Sequence, residues 1–302
     1  MWSYCKHMRI TTYIFFSFAM KTVCFILAQT KNIMRRMNLH SKLSQNIRHI
    51  NNKKIYSTDD IELFYKENEF MKDKKIITIS PGGFKGFYMF GVCKYLKNNY
   101  DLSDYIFTGA SAGSWNALML CSKKDISEIE SVIFDKGLLQ NSKSIHELEM
   151  TMKNRLLQKY TTEDFDLNRL FIGVTTLKGC ASDTTIFSGF ENLEDAINCC
   201  IASSHIPLIS GNLTTIYRNM LAFDGGFSSY PYLNTVESVL HITPAMWGRK
   251  NVTAAYQKDR MRVSDYTTLL SRRGFLFNDL IGSGYNDTKT NRQTLDDIFT
   301  PL

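Results

Sequence analysis

Between Phe107 and Leu120 the chain reads FTGASAGSWNALML. A lone serine, Ser111, sits among four small residues, Gly109, Ala110, Ala112 and Gly113, where an apolar run ends. The preceding SDYIFTG (103–109) has the β-branched and aromatic content of a buried strand, and residues 112–122 read as a helix. Three readings fit the turn between them. It is an ordinary Gly-rich connection, a phosphate-binding loop, or a nucleophile elbow, where a strained serine presents its oxygen to a substrate.

The surrounding pattern repeats this plan. KKIITIS (74–80) reads as a short buried strand and GFYMFGVCKYLKNN (86–99) as a helix with Met89, Phe90, Cys93 and Leu96 on one face. Two strands, each followed by a helix through a glycine turn, predict a parallel sheet in a layered α/β fold. Further strands are predicted at 169–177, 184–188, 219–223 and 238–244. Helical character is predicted over 125–160, without an obvious catalytic constellation, and over 193–204. From Thr58, TDDIELFYKENEFMK opens with a capping residue and acids, as a helix start does, and predicts a helix over 59–73.

Charge separates the chain into two parts. The formal net charge is +7, yet residues 1–58 hold ten Lys and Arg and no acid. The remainder carries 26 basic and 29 acidic residues, a net of −3. The body therefore lacks the basic footprint of a nucleic-acid-binding protein. Residues 1–58, with an apolar run at 10–28 broken by Lys21, have the character of an organelle transit segment or a signal anchor, or else of an untargeted tail. The domain expected to do chemistry spans 74–250, preceded by the helix at 59–73, with 251–302 as an extension packed on it or flanking it. Arg272, Arg273 and GFLF (274–277) suggest a helix or a membrane-facing edge. The seven cysteines form no CxxC pair, which points to a reducing, intracellular setting and to no zinc site.

Two more glycine turns bear on Ser111. SPGGFKG (80–86) lacks the GxxxxGK[ST] of a Walker loop, and Pro81 stands where a dinucleotide fingerprint needs its first glycine. It is a plain tight turn, or a loop whose backbone N–H groups, at Gly82 and Gly83 above all, face an oxyanion. FDGG (223–226) ends a strand with Asp224 before Gly225 and Gly226; it is a plain turn or a carboxylate displayed in a cleft. Facing Ser111, Asp224 would serve as the base that a serine nucleophile requires. The order Ser111, Asp224, His241 also imitates a histidine-dependent α/β-hydrolase, but only one strand precedes the first glycine turn. His241 in SVLHITP and His205 in ASSHIPLISG read more simply as packed residues.

Taken in order, PGGFKG (81–86), GASAG (109–113) and DGG (224–226) resemble the patatin-like phospholipase family, over about residues 74–250. LFIGVTTLKG (170–179), ASSHIPLISG (202–211) and HITP (241–244) look similar as well. The resemblance implies a three-layer α/β/α fold with a mainly parallel sheet, and a Ser–Asp dyad without histidine. It implies Ser111 as nucleophile and Asp224 as proton acceptor. Gly82, Gly83, Phe84, Lys85 and Gly86 would form the oxyanion loop, with Gly109, Gly113, Gly225 and Gly226 shaping the elbow and the Asp-Gly-Gly turn. No metal or other cofactor is implied. The substrate would be a phospholipid or neutral glycerolipid ester at a membrane surface, where a basic leader would favour anionic lipid. One departure stands out: Ser80 and Pro81 occupy the leading positions of the loop, and proline has no N–H to donate. A catalytically weak lipid-binding protein on the same fold is the alternative this departure keeps open.

Overall fold

The computed structural model describes residues 49–51, 69–71, 73–134, 138, 142, 144–178, 181–228, 230–233, 238–248 and 277–302. Apart from the strand ends at 177–178 and 181–183, the features below belong to one compact unit, Arg48–Thr176 with Thr184–Leu302. The predicted segment 1–58 lies outside the described residues except for 49–51. So does the predicted helix 59–73, apart from Glu69–Met71, a 3-10 turn, and residue 73. Arg272, Arg273 and GFL (274–276) lie outside them too.

The strands are β1 (His49–Asn51), β2 (Lys75–Ile79), β3 (Tyr105–Ala110), β4 (Leu170–Lys178), β5 (Ala181–Phe187), β6 (Thr215–Tyr217), β7 (Met220–Phe223) and β8 (Ser238–Ile242). They form one sheet in the order β1-β5-β4-β3-β2-β8, with β7 paired to β4 and β6 to β7. The centre is parallel: β3 runs parallel to both β2 and β4, and β2 parallel to β8. Antiparallel pairings of β1 with β5 and of β7 with β4 and β6 flank it. The strands at 49–51 and 215–217 are additions to the sequence reading; three residues are too few for a periodic signal.

The helices are α1 (Gly86–Asn99), α2 (Ala112–Leu120), α3 (Ile126–Ile133), α4 (Ile145–Lys159), α5 (Leu193–Ser203), α6 (Phe277–Thr290) and α7 (Arg292–Asp296). Polar caps start three of them. Asp125 accepts from Ser127 N and Glu128 N, Ser144 from Glu147 N, and Asn192 from Asp195 N.

Alternation along the strands places cores on both faces of the sheet. Ile77, Phe107, Ile172 and Phe187 join the larger cluster, and their neighbours Ile76, Ile106, Phe171 and Ile186 the smaller one. A parallel sheet buried on both faces accounts for the unbroken apolar runs that mark these strands in the sequence. This is the mixed α/β, α/β/α-type architecture expected.

The described part of the C-terminal segment packs on α1. A Cβ on Gly91 would stand 2.1 Å from Ile281 O, and one on Gly284 would stand 2.0 Å from Tyr88 O. The two helices cross backbone to backbone at these notches. Tyr88 Oη donates to Asp287 Oδ2 at 2.7 Å beside the crossing. Gly284→Val should force α6 away from α1. The expected cost is about 2–3 kcal/mol, a fall in Tm on the order of 5–10 °C by calorimetry; an unchanged Tm would show that this crossing does not hold the helix.

Candidate active site

Strand β3 is buried at every position and ends at Ala110 in the middle of the parallel sheet. The chain then reverses into α2 through Ser111, whose backbone lies at φ 54 and ψ −129. A side-chain-bearing residue in this region costs on the order of 1–3 kcal/mol. Hydrogen bonds hold it there. Ser111 N donates to Ser203 Oγ at 2.8 Å, and Ser203 Oγ donates to Gly173 O at 2.7 Å. Ser111 O accepts from Ser114 N at 2.9 Å and from Ser114 Oγ at 2.6 Å. The small flanking residues are a steric necessity. A Cβ on Gly109 would lie 2.3 Å from Gly113 O, and one on Gly113 would lie 2.2 Å from Ile79 O.

Strand β7 brings Asp224 to the same place from the other side of β4. The backbone of Asp224 is fixed at both ends, its N donating to His205 O and its O accepting from Thr175 Oγ1, each at 2.8 Å. Its side chain caps the 3-10 turn Gly225–Phe227, Oδ1 accepting from Gly226 N at 2.6 Å. Its other oxygen, Oδ2, accepts from Ser111 Oγ at 2.7 Å. Ser111 is 5% exposed and Asp224 4%.

The first glycine turn faces this pair. Gly83–Lys85 is a 3-10 turn entered through Gly82 (φ −160, ψ −1), with Gly83 at φ 50. Lys85 N donates to Gly82 O, and Gly86 N is taken by Gly83 O and Phe84 O. The first two N–H groups of such a turn, those of Gly83 and Phe84, have no acceptor within it. Gly83, Phe84 and Gly86 line one cavity with Ser111 and Ala112; Gly82 and Lys85 are not among its lining residues. Ser80 and Pro81 have a structural part. Ser80 N donates to Ile242 O at 2.9 Å, and Ser80 Oγ bonds His241 Nε2 at 2.8 Å. These bonds tie the entry of the turn to β8. His241 is therefore engaged with Ser80, and His205 Nε2 with Asn212 O at 2.8 Å. The Ser111 hydroxyl reaches a carboxylate with no imidazole between them.

A model of the patatin-like phospholipase family matches residues 77–234, which span all three glycine turns. The chain belongs to the patatin-like phospholipase family. That family is one of lipid acyl hydrolases. A search of curated proteins returned no match.

The cavity of this patatin-like domain has an apolar wall drawn from α1, α2 and α4, including Phe87, Phe90, Trp115, Leu148 and Met152. The stretch 125–160 is chemically silent in the sequence, yet α4 supplies much of this wall. It also supplies Glu149, which is 4% exposed and which the sequence reading misses. A glutamate in an amphipathic helix reads as solvent-facing, so no local signal marks it. Ser203 and Ser204 lie in ASSHIPLISG, a stretch that stands out in the sequence only through the family resemblance.

Burial pushes the Asp224 carboxyl up from the ordinary carboxylate value to about 6, against the hydrogen bonds from Ser111 and Gly226, which lower it. The folded protein thus binds this proton more tightly than the unfolded chain. Asp224 stabilises the fold fully below about pH 4, and that contribution is lost as pH rises through about 6. A rise of this size is worth about 3 kcal/mol, all of it lost above that window. Asp224→Asn should accordingly be more stable than the parent at pH 7–8 by up to about 3 kcal/mol, with the advantage vanishing below about pH 4. Urea unfolding at several pH values checks this, and parallel stability profiles for the two proteins would refute it.

Proposed function

We propose that this chain is a serine lipid acyl hydrolase that cleaves fatty acyl esters of phospholipids or neutral glycerolipids through Ser111 and Asp224. The observation that carries the reading is the 2.7 Å hydrogen bond from Ser111 Oγ to Asp224 Oδ2 at the wall of an apolar cavity.

The chemistry follows from that geometry. A carboxylate titrating at about 6 is ionised at neutral pH and still basic enough to take the serine proton. Ser111 Oγ attacks the ester carbonyl as its proton passes to Asp224. The oxyanion that forms meets the N–H groups of Gly83 and Phe84, and that of Ala112, the residue after the nucleophile. The amino end of α2 adds positive potential there. Asp224 then protonates the departing alcohol, leaving the acyl chain on Ser111 in the cavity. Water, deprotonated in turn by Asp224, attacks the acyl-enzyme and releases the fatty acid. Proline at position 81 does not remove a donor from this set, which weakens the case for an idle scaffold.

The partner in this reading is a lipid surface inside the cell, reached with help from the basic leader. No helix among the described residues is long and apolar enough to cross a membrane.

Active-site labelling tests the proposal. A fluorophosphonate should form an adduct on Ser111, located by mass spectrometry and absent from Ser111→Ala. Asp224→Ala should slow labelling by about 10²–10⁴-fold. The labelling rate should climb with pH through about 6, because only ionised Asp224 accepts the proton. Folded protein that acquires no adduct would overturn the hydrolase reading in favour of lipid binding without turnover.

A further inference from the structure

The connection between α5 and β6 holds two aliphatic side chains out in water on a fixed loop. Leu208 is 62% exposed and Ile209 48%. Leu208 sits at φ 65, in the left-handed region that side chains other than Asn and Asp rarely adopt. Hydrogen bonds keep the loop in shape. Leu208 N donates to Asn212 O at 3.3 Å, and His205 Nε2 donates to the same oxygen at 2.8 Å. Ile206 O accepts from Ile209 N at 3.1 Å and from Ser210 N at 2.9 Å, and Ile206 N donates to Ser210 Oγ at 3.2 Å. An exposed leucine in this conformation contributes little to the fold, since asparagine suits both the backbone and the water better.

The loop is continuous with the site. Ile206 lines the cavity together with Ser111 and Ser204, and His205 O accepts from Asp224 N at 2.8 Å. The exposed pair thus follows a cavity residue directly, on backbone that also holds Asp224. Charge points to what covers the pair. Residues 196–217 contain no Asp, Glu, Lys or Arg, in a chain that is 22% charged. Burial first, and His146 in addition, hold the His205 imidazole below its usual basicity, so the loop 204–212 is neutral at pH 7. A second exposed isoleucine, Ile216 at 72%, lies in the same uncharged stretch. A protein interface carries a polar rim around its apolar centre. Hydrocarbon penalises every charge brought into it, and this stretch brings none.

We propose that the loop 206–212 is a membrane-docking element, which inserts Leu208 and Ile209 into the acyl layer of a bilayer and so presents the cavity to its lipid. The inference rests on the reading of the cavity as the acyl site, because a lipid substrate is what brings a bilayer to this face. The contact is apolar and needs no anionic headgroup. It is therefore distinct from the attraction of the basic leader, which salt screens. The unfavourable backbone at Leu208 then serves binding rather than stability.

The test is sedimentation of the full chain with vesicles of ether-linked phosphatidylcholine, which resist hydrolysis, in high salt to screen the leader. The parent should bind them. Leu208→Asn should bind about tenfold more weakly, and the double variant with Ile209→Asn about a hundredfold more weakly. Leu208→Asn should do so with a Tm no lower than the parent's. Phe70, 43% exposed, precedes β2, whereas the elbow follows β3, so Phe70→Asn should bind as the parent does. Ile209→Trp should show a blue shift of its emission when vesicles are added, and Phe70→Trp should show none. A parent that does not bind, Asn variants that bind as well as the parent, or Ile209→Trp emission that does not shift would each overturn the inference. So would self-association of the parent that is lost in the double variant, which would assign the loop to a second copy of the chain. The emission shift decides the matter even if an Asn variant fails to fold. Fluorophosphonate labelling of Ser111 in solution separates the two readings, and should be unchanged by the loop substitutions. Loop-dependent binding without labelling defeats the hydrolase alone, and labelling without loop-dependent binding defeats the docking element alone.

Discussion

Ser111 is held in a backbone conformation that serine does not favour, and the centre of the molecule is arranged around that constraint. The strain of an elbow persists only where its surroundings over-determine it. Here β3 is clamped between two parallel neighbours, and α2 is pressed so close that two glycines are needed for the crossing. Ser203, at the carboxyl end of α5, receives the Ser111 amide proton and passes its own to β4. The strands, the two helices and the serine thus form one rigid assembly. In the proposed reaction, preorganisation of this kind places donors and base before any substrate arrives.

The elbow, the first glycine turn and the Asp-Gly-Gly turn were legible because each is a local demand written in small residues. Gly109 and Gly113 are small because a Cβ would enter a neighbouring backbone, which any strand–turn–helix of this tightness imposes. What joins them was legible only through the family resemblance. Ser111 and Asp224 are 113 residues apart, and their contact depends on β7 pairing with β4 beside β3. Other features left no local trace. A glycine inside a helix reads as a weakness, so the Gly91 and Gly284 notches that dock α6 were invisible until both helices were seen together. Glu149 was hidden for a different reason: its burial comes from the elements packed against α4, which the helix's own pattern does not record. The candidate histidine of a hydrolase triad, His241, proves to be the anchor of Ser80.

Two buried carboxyls differ in their partners: Glu149 lines the cavity, and Asp224 stands behind Ser111, which lines it. Asp224 receives protons from a serine hydroxyl and a backbone amide, which help it keep a negative charge at neutral pH. Glu149 accepts from Ser204 Oγ in an otherwise largely apolar wall, and burial pushes its carboxyl well above the ordinary carboxylate range. Separation of two carboxyls into an ionised one and a protonated one is a general way to place a base and a hydrogen-bond donor side by side. Here burial raises both carboxyls, and the backbone N–H of Gly226 helps hold Asp224 down.

The docking of α6 on α1 bears on how the protein comes into being. The first glycine turn, the elbow and Asp224 all leave the ribosome well before α6 does, yet α6 grips α1 within two turns of the glycine loop. A nascent chain can therefore carry all three glycine turns of the family while the helix behind the first of them still lacks α6. The packing behind that turn is in place only once α6 has emerged and docked.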